Sequence, residues 1–256
     1  MFRLPGLSRR LWRGWPISRE DVGASTAAPS SRVEKDRMDQ SKVTARRPIR
    51  ARSAGWARAV ARWLQRIGLR PNQVSLTSVA FAALAGVCLV FAPRVGLTWR
   101  VVLFLAAAGF IQLRLLCNLI DGMLAVEGGL KTKSGEVFND LPDRVADAIV
   151  LVAAGYSAAS ISWVRELGWA AALLAVLTAY VRVLGGATGV SQHFLGPMAQ
   201  PHRMALMTAA CVVSAGVSAV GWSGHVMAAA LGVVVAGCLV TIVRRVRRIV
   251  VELESK

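Results

Sequence analysis

Six stretches of the chain, 73–92, 100–126, 141–162, 167–187, 204–221 and 225–243, are long runs of mostly apolar residues. A helix needs about 20 such residues to cross a hydrocarbon core about 30 Å thick, because each residue rises about 1.5 Å. No water reaches backbone groups in that slab, so each stretch is predicted to be helical. Short polar or Gly/Pro-containing links at 92–94, 162–166 and 221–224 separate them. The expected fold class is therefore an all-α integral membrane protein with six transmembrane helices.

The charge supports this division. The 256 residues are 55% hydrophobic yet carry a net charge of +17. Residues 1–52 hold a net +8, residues 53–70 a net +4 and residues 244–256 a net +3, whereas the 173 residues from 71 to 243 hold only +2. Basic and apolar residues are thus segregated, which excludes a soluble single-domain enzyme and argues against nucleic acid as a partner. An even number of spans puts both termini on one side. That side would hold the four Arg of 53–70, Lys131, Lys133, Arg203 and the Arg cluster at 244–248, against Arg94, Arg100 and Arg165 on the other, so both termini are predicted cytoplasmic. Trp99, Trp163, Trp169 and Trp222 all fall at links on the far side, at the level indoles prefer.

The flanks divide further. Residues 1–52, with Pro16, Pro29 and Pro48, are expected to form a disordered basic arm. Its first 19 residues have five Arg and no acid, which by composition also fits a mitochondrial presequence; otherwise a bacterial inner membrane is the expected location. In 53–70, Arg58, Arg62, Arg66 and Arg70 recur every four residues beside Trp56, Val60, Trp63, Leu64 and Ile67. This predicts a juxtamembrane amphipathic helix lying on anionic membrane lipids. The membrane domain proper is expected over 71–250.

Four Asp lie in the otherwise apolar body, Asp121, Asp140, Asp143 and Asp147, all within 27 residues. A carboxylate in or near hydrocarbon costs a few kcal/mol, so such a cluster is a site by default. At about 100° per residue, Asn118, Asp121, Gly122 and Ala125 share one face of the second span, and Gly135, Asn139, Asp143 and Asp147 form a stripe leading into the third. The two helices can be antiparallel neighbours whose oxygen-bearing faces meet at the cytoplasmic interface. Carboxylate and amide oxygens without nearby Cys or His suit Mg²⁺ or Mn²⁺, or Ca²⁺. The glycines would let backbone approach a bulky phosphate ligand. Two plainer readings compete: a polar helix end salt-bridged to Arg114, Arg144, Lys131 and Lys133, or a packing seam at Gly122 and Ala125. Arg182, deep in an apolar span, and Arg203, in the last cytoplasmic loop, are candidates to bind an acceptor or lipid phosphate. Cys88, Cys117, Cys211 and Cys238 form no C-x-x-C pair and are expected to be buried small apolar residues.

Asn118-Leu-Ile-Asp121-Gly122-Met-Leu-Ala125, followed by Gly135-Glu-Val-Phe-Asn139-Asp-Leu-Pro-Asp143, resembles the signature of the CDP-alcohol phosphotransferases, D-x2-D-G-x2-A-R then G-x3-D-x3-D. The resemblance extends to Leu69-Arg-Pro-Asn-Gln-Val-Ser75 and covers roughly 55–250. It implies transfer of a phosphoalcohol group from a CDP-linked lipid, such as CDP-diacylglycerol, to an acceptor alcohol with release of CMP, two divalent metals, and homodimers. It also implies roles: Asp121 as a metal ligand, Asn118 and Asn139 as neutral ligands, Asp143 as ligand and as the base for the acceptor hydroxyl, and Gly122, Ala125 and Gly135 lining the nucleotide pocket. The chain departs from the signature where Asn118 and Asn139 replace the first and third Asp and Val126 replaces the Arg. Asp140 and Asp147 are possible compensating carboxylates. Two functions follow: an active phosphotransferase, or a non-catalytic relative that binds a nucleotide lipid or scaffolds other enzymes. A transporter fits less well, because the acidic cluster lies near one interface.

Overall fold

The computed structural model describes residues 71–127, 135–190 and 196–255. The basic arm at 1–52, the amphipathic helix at 53–70 and the loop carrying Lys131 and Lys133 lie outside the described residues, as do the side chains of Ala125, Gly135 and Asn139. Among the described residues there are six long helices: α1 Pro71–Phe91, α2 Leu97–Glu127, α3 Gly135–Ser157, α4 Val164–Ala187, α5 Gln200–Gly216 and α6 Ser223–Glu254. Each coincides with one of the six apolar stretches. Four of the six, α1, α2, α4 and α6, are long and apolar enough to cross a membrane by length and composition. In α3 the first half is interrupted by Asp140, Asp143, Arg144 and Asp147, and α5 has only 17 residues and opens on Gln200, His202 and Arg203.

The boundaries differ from expectation in two places. Helix α3 stops at Ser157, where the chain turns and the Ile161 N–H donates to the Ala158 carbonyl at 2.9 Å. Helix α6 continues well beyond 243 to Glu254, because Arg245 and Ile249 are buried one turn apart and keep one face of it packed against the bundle.

The helices close into a ring in the order α2, α1, α3, α4, α6, α5 and back to α2, with α3 also touching α6. Helices α2 and α3 touch each other sparingly, and α1 packs against both. They are therefore neighbours at their polar ends, where the Asn118 and Asp143 side chains meet. The shared core is rich in small residues, including Ala82, Ala85, Ala107, Ala154, Ala171 and Ala175, among larger ones such as Phe104, Leu151 and Met207. Small side chains let helix backbones approach, and the limit is reached where α3 crosses α4. A Cβ on Gly155 would lie 2.8 Å from the Val164 carbonyl oxygen, and one on Gly168 would lie 2.9 Å from the Leu151 carbonyl oxygen. Both obstacles are backbone and cannot swing aside. Gly168→Ala is accordingly expected to cost about 1–3 kcal/mol and to lower the unfolding midpoint in detergent. At Gly109, where a Cβ would meet nothing within 4 Å, the same substitution is expected to leave that midpoint unchanged or raised.

Candidate functional site

The polar residues of α2 and α3 gather at one end of the ring. Arg114, Asn118 and Asp121 follow one another at spacings of four and three on α2, which places them on one face. That face meets the start of α3 through side chains. The Asn118 amide Nδ2 donates to Asp143 Oδ1. Arg114, with its side chain 0% exposed, donates from Nη2 to the Asp143 carbonyl at 3.2 Å and lies 3.6 Å from Asp143 Oδ1. The Gln200 side chain, at the start of α5, lies beside Asp143 as well. Asp121 is buried, and its Oδ2 accepts from Ser75 Oγ of α1 at 2.6 Å.

The other two carboxylates are held by arginines. Asp147 is 1% exposed; its Oδ1 accepts from Arg114 Nη2 at 2.7 Å and its Oδ2 from Arg203 Nη2 at 2.5 Å. Arg203 donates from Nη1 to the Met198 carbonyl at 2.8 Å and to Thr178 Oγ1 at 3.3 Å. Arg245 of α6 donates to the Thr178 carbonyl at 2.5 Å. One buried polar network therefore ties α2, α3, α4, α5 and α6 together. Asp140, nearer the surface and just ahead of the apolar stretch of α3, takes Arg144 Nη2 at 2.9 Å and Arg182 Nη2 at 2.7 Å on a single oxygen. Burial raises the Asp140 carboxyl, but the Arg144 and Arg182 guanidiniums outweigh it and hold the group below the ordinary carboxylate range.

The structure thus sets Asn118 against Asp143, with Asp147 one turn further along α3 and Asp121 one turn further along α2, where it meets Ser75. Gly122 is half-buried on the same helix turn as Asp121. Arg182 is part-exposed, whereas Arg203 is 1% exposed and sits in the packed interior, away from an approaching head group. The proposed pairing of the acidic cluster with Arg114 and Arg144 is present, on Asp147 and Asp140. Two participants are not among the site residues expected from the sequence: Ser75, and Arg114, which entered there only as a salt-bridge partner in the plainer reading. Arg114 was visible in principle, since a lone Arg in an apolar span is costly for the same reason as Arg182. Ser75 gave no such signal.

The donor set fits a hard divalent cation in part. Among the described residues no three His, Cys, Asp or Glu side chains converge to hold an ion by themselves. Two carboxylates with amide oxygens suit one ion completed by water or ligand phosphate. A second ion would need carboxylates that Asp140 and Asp147, each already held by two guanidiniums, are not placed to give.

No family model matches the chain. It is similar in fold to the Mycobacterium tuberculosis phosphatidylinositol phosphate synthase PgsA1. With CDP-DAG bound, that structure matches at a TM-score of 0.59 and 21% identity, over 77% of this chain and 94% of the other. The same enzyme with manganese and citrate matches at a TM-score of 0.60 and 21% identity, over 75% and 88%. At this level of identity the likeness shows the fold, which is that of a membrane-bound phospholipid synthase. In sequence, 85 residues are 29% identical to the inner membrane protein YnbA of Escherichia coli (strain K12), covering 33% of this chain. The chain spans 39% of the length of that curated relative. Together with the four apolar helices, these likenesses make the chain a multi-pass membrane protein.

The two arginine-held carboxylates differ in burial, and their substitution should differ in cost. Asp147→Asn leaves two buried guanidiniums facing a neutral group and is expected to destabilise by about 3–5 kcal/mol. Asp140→Asn, at a site whose carboxylate is 36% exposed, is expected to cost about 1 kcal/mol or less. Unfolding midpoints of the two variants in the same detergent check this; equal losses would contradict it.

Proposed function

We propose that the chain transfers a phosphatidyl or related phosphoalcohol group from a CDP-linked lipid such as CDP-diacylglycerol to an acceptor alcohol, releasing CMP, in phospholipid biosynthesis. One observation carries this reading: the contact from Asn118 to Asp143, which joins the two halves of the signature-like sequence across α2 and α3. The shared fold with a synthase whose structure holds CDP-DAG supports a CDP-linked lipid as donor. The setting we propose is a bacterial inner membrane, crossed by all six helices with both termini cytoplasmic. The 53–70 helix would lie on anionic lipids, and the chain would be a homodimer.

In this reading Asp121 and Asp143, with the amide oxygens of Asn118 and Asn139, hold Mg²⁺ or Mn²⁺. The bound cation supplies Lewis-acid neutralisation of the diphosphate and of the departing CMP. Asp143 accepts the proton of the acceptor hydroxyl. Asn118 fixes one oxygen of that carboxylate and so orients the other. Gly122, Ala125 and Gly135 leave room for the cytidine. Arg182 offers its guanidinium to the acceptor or lipid phosphate, with Asp140 holding it in place until that anion arrives. Arg203 serves indirectly, by holding Asp147.

Purified protein in detergent with CDP-diacylglycerol and Mg²⁺ or Mn²⁺ is expected to release CMP with at least one member of a panel of acceptor alcohols. Asp143→Ala should lower that rate by about 10²-fold or more. An unaltered rate would remove the base assignment. The second reading, a non-catalytic nucleotide-lipid binder or scaffold, draws on the same contact, since an amide faces Asp143 where the signature has a carboxylate. Under it no acceptor supports CMP release. Joint Asn118→Asp and Asn139→Asp substitution then separates the two: a gain of turnover marks a degenerate site, and a loss marks a site adapted to Asn.

A further inference from the structure

We propose that the site takes one divalent cation per chain, and that Arg114 supplies, as a fixed part of the protein, the positive charge beside Asp143, while the neutral Asn118 amide holds the same carboxylate oxygen. The inference rests on the functional reading only in supposing that the site handles a metal-bound diphosphate.

Of the four described Asp in the bundle, Asp140 and Asp147 are each held by two guanidiniums. Asp121 has committed Oδ2 to the Ser75 hydroxyl at 2.6 Å. Asp143 has committed Oδ1 to the Asn118 amide, with the Arg114 guanidinium 3.6 Å from the same oxygen. Each of these two carboxylates therefore offers at most one further oxygen. A small hard cation is commonly held by one or two carboxylates together with water and phosphate oxygens, so this supply matches one ion and not a pair.

The charge count agrees. Within the Asn118 side chain only the amide N–H can donate to a carboxylate, so Nδ2 turns toward Asp143 Oδ1 and the amide oxygen cannot share a cation with it at that oxygen. Arg114 is fully buried, and its Nε and Nη1 have no acceptor among the described residues. Its charge is thus not exhausted by Asp147, and it acts at short range on Asp143 and on whatever binds beside it. A second divalent ion on this side would stand next to a buried guanidinium with no added carboxylate among the described residues to offset the repulsion. Arg114 occupies by side chain the place in the charge balance that a second ion would fill by binding.

Titration of the full-length protein with Mn²⁺, read by the electron paramagnetic resonance signal of the free ion, tests this without reference to turnover. One Mn²⁺ per chain is expected, lost in Asp121→Asn. Two per chain would overturn the proposal while leaving the transferase reading standing, and none would overturn it together with the metal part of that reading. Failure of CMP release with one ion bound would sink the transferase reading alone. Arg114→Gln is expected to tighten Mn²⁺ binding about tenfold or more, since a nearby positive charge is removed, and Arg114→Lys to leave it within about threefold of the parent. Unchanged or weaker binding in a monodisperse Arg114→Gln protein would overturn the role given to Arg114. Should that variant not fold, the stoichiometry of the parent protein decides.

Discussion

Asp147 stands between two arginines in the interior of a membrane protein, and much of the rest of the structure is arranged around that contact. Each of the three charges would be expensive alone, because a buried ion loses the solvation that water provides. Together they satisfy one another: one carboxylate oxygen takes Arg114 at 2.7 Å and the other takes Arg203 at 2.5 Å. Because the two arginines come from α2 and α5 and the carboxylate from α3, the contact fixes three helices at once. Thr178 and Arg245 extend it to α4 and α6. The apolar faces decide that the helices associate, and this polar network decides the rotation each takes about its axis.

The consequence for the site is that its carboxylates are divided into two groups. Asp140 and Asp147 neutralise arginines, and Asp121 and Asp143 face hydroxyl and amide donors. Sequence spacing alone put all four within reach of one another. Helical periodicity shows which residues share a face, but it does not show what stands opposite. That is why Asp147 reads as a compensating ligand in the sequence and as an arginine partner in the fold.

The helices were legible because long apolar runs leave a chain in hydrocarbon no alternative. All six stretches became helices among the described residues, with ends shifted where side chains pack, as at Ile249. The order of the ring was not legible, since α1 lies against both α2 and α3 and no pattern within α1 announces that. Ser75 belongs to the same blind spot: an ordinary hydroxyl gains its meaning only when α1 sets it 2.6 Å from Asp121. Arg114 is a different case. Its cost in an apolar span is as plain as that of Arg182, and the sequence offers it as a partner for the acidic cluster; which carboxylate it takes, Asp147, is set only by the packing of α2 against α3.

The glycine crossing of α3 and α4 lies far from this chemistry, yet it bears on it. From Gly155 to Asp143 is 12 residues along α3, roughly 18 Å of helix. A rod held at one end swings at the other, so a tilt of about 3° at the crossing would carry Asp143 by about 1 Å. Contact between bare backbones leaves little play for such a tilt, and the arginine clamp grips the same rod near its opposite end. Helix α3 is in effect a beam supported at both ends, with the carboxylate that matters mounted beside one of the supports. The smallest residues at one end of the helix thereby help set the aim of the charged ones at the other.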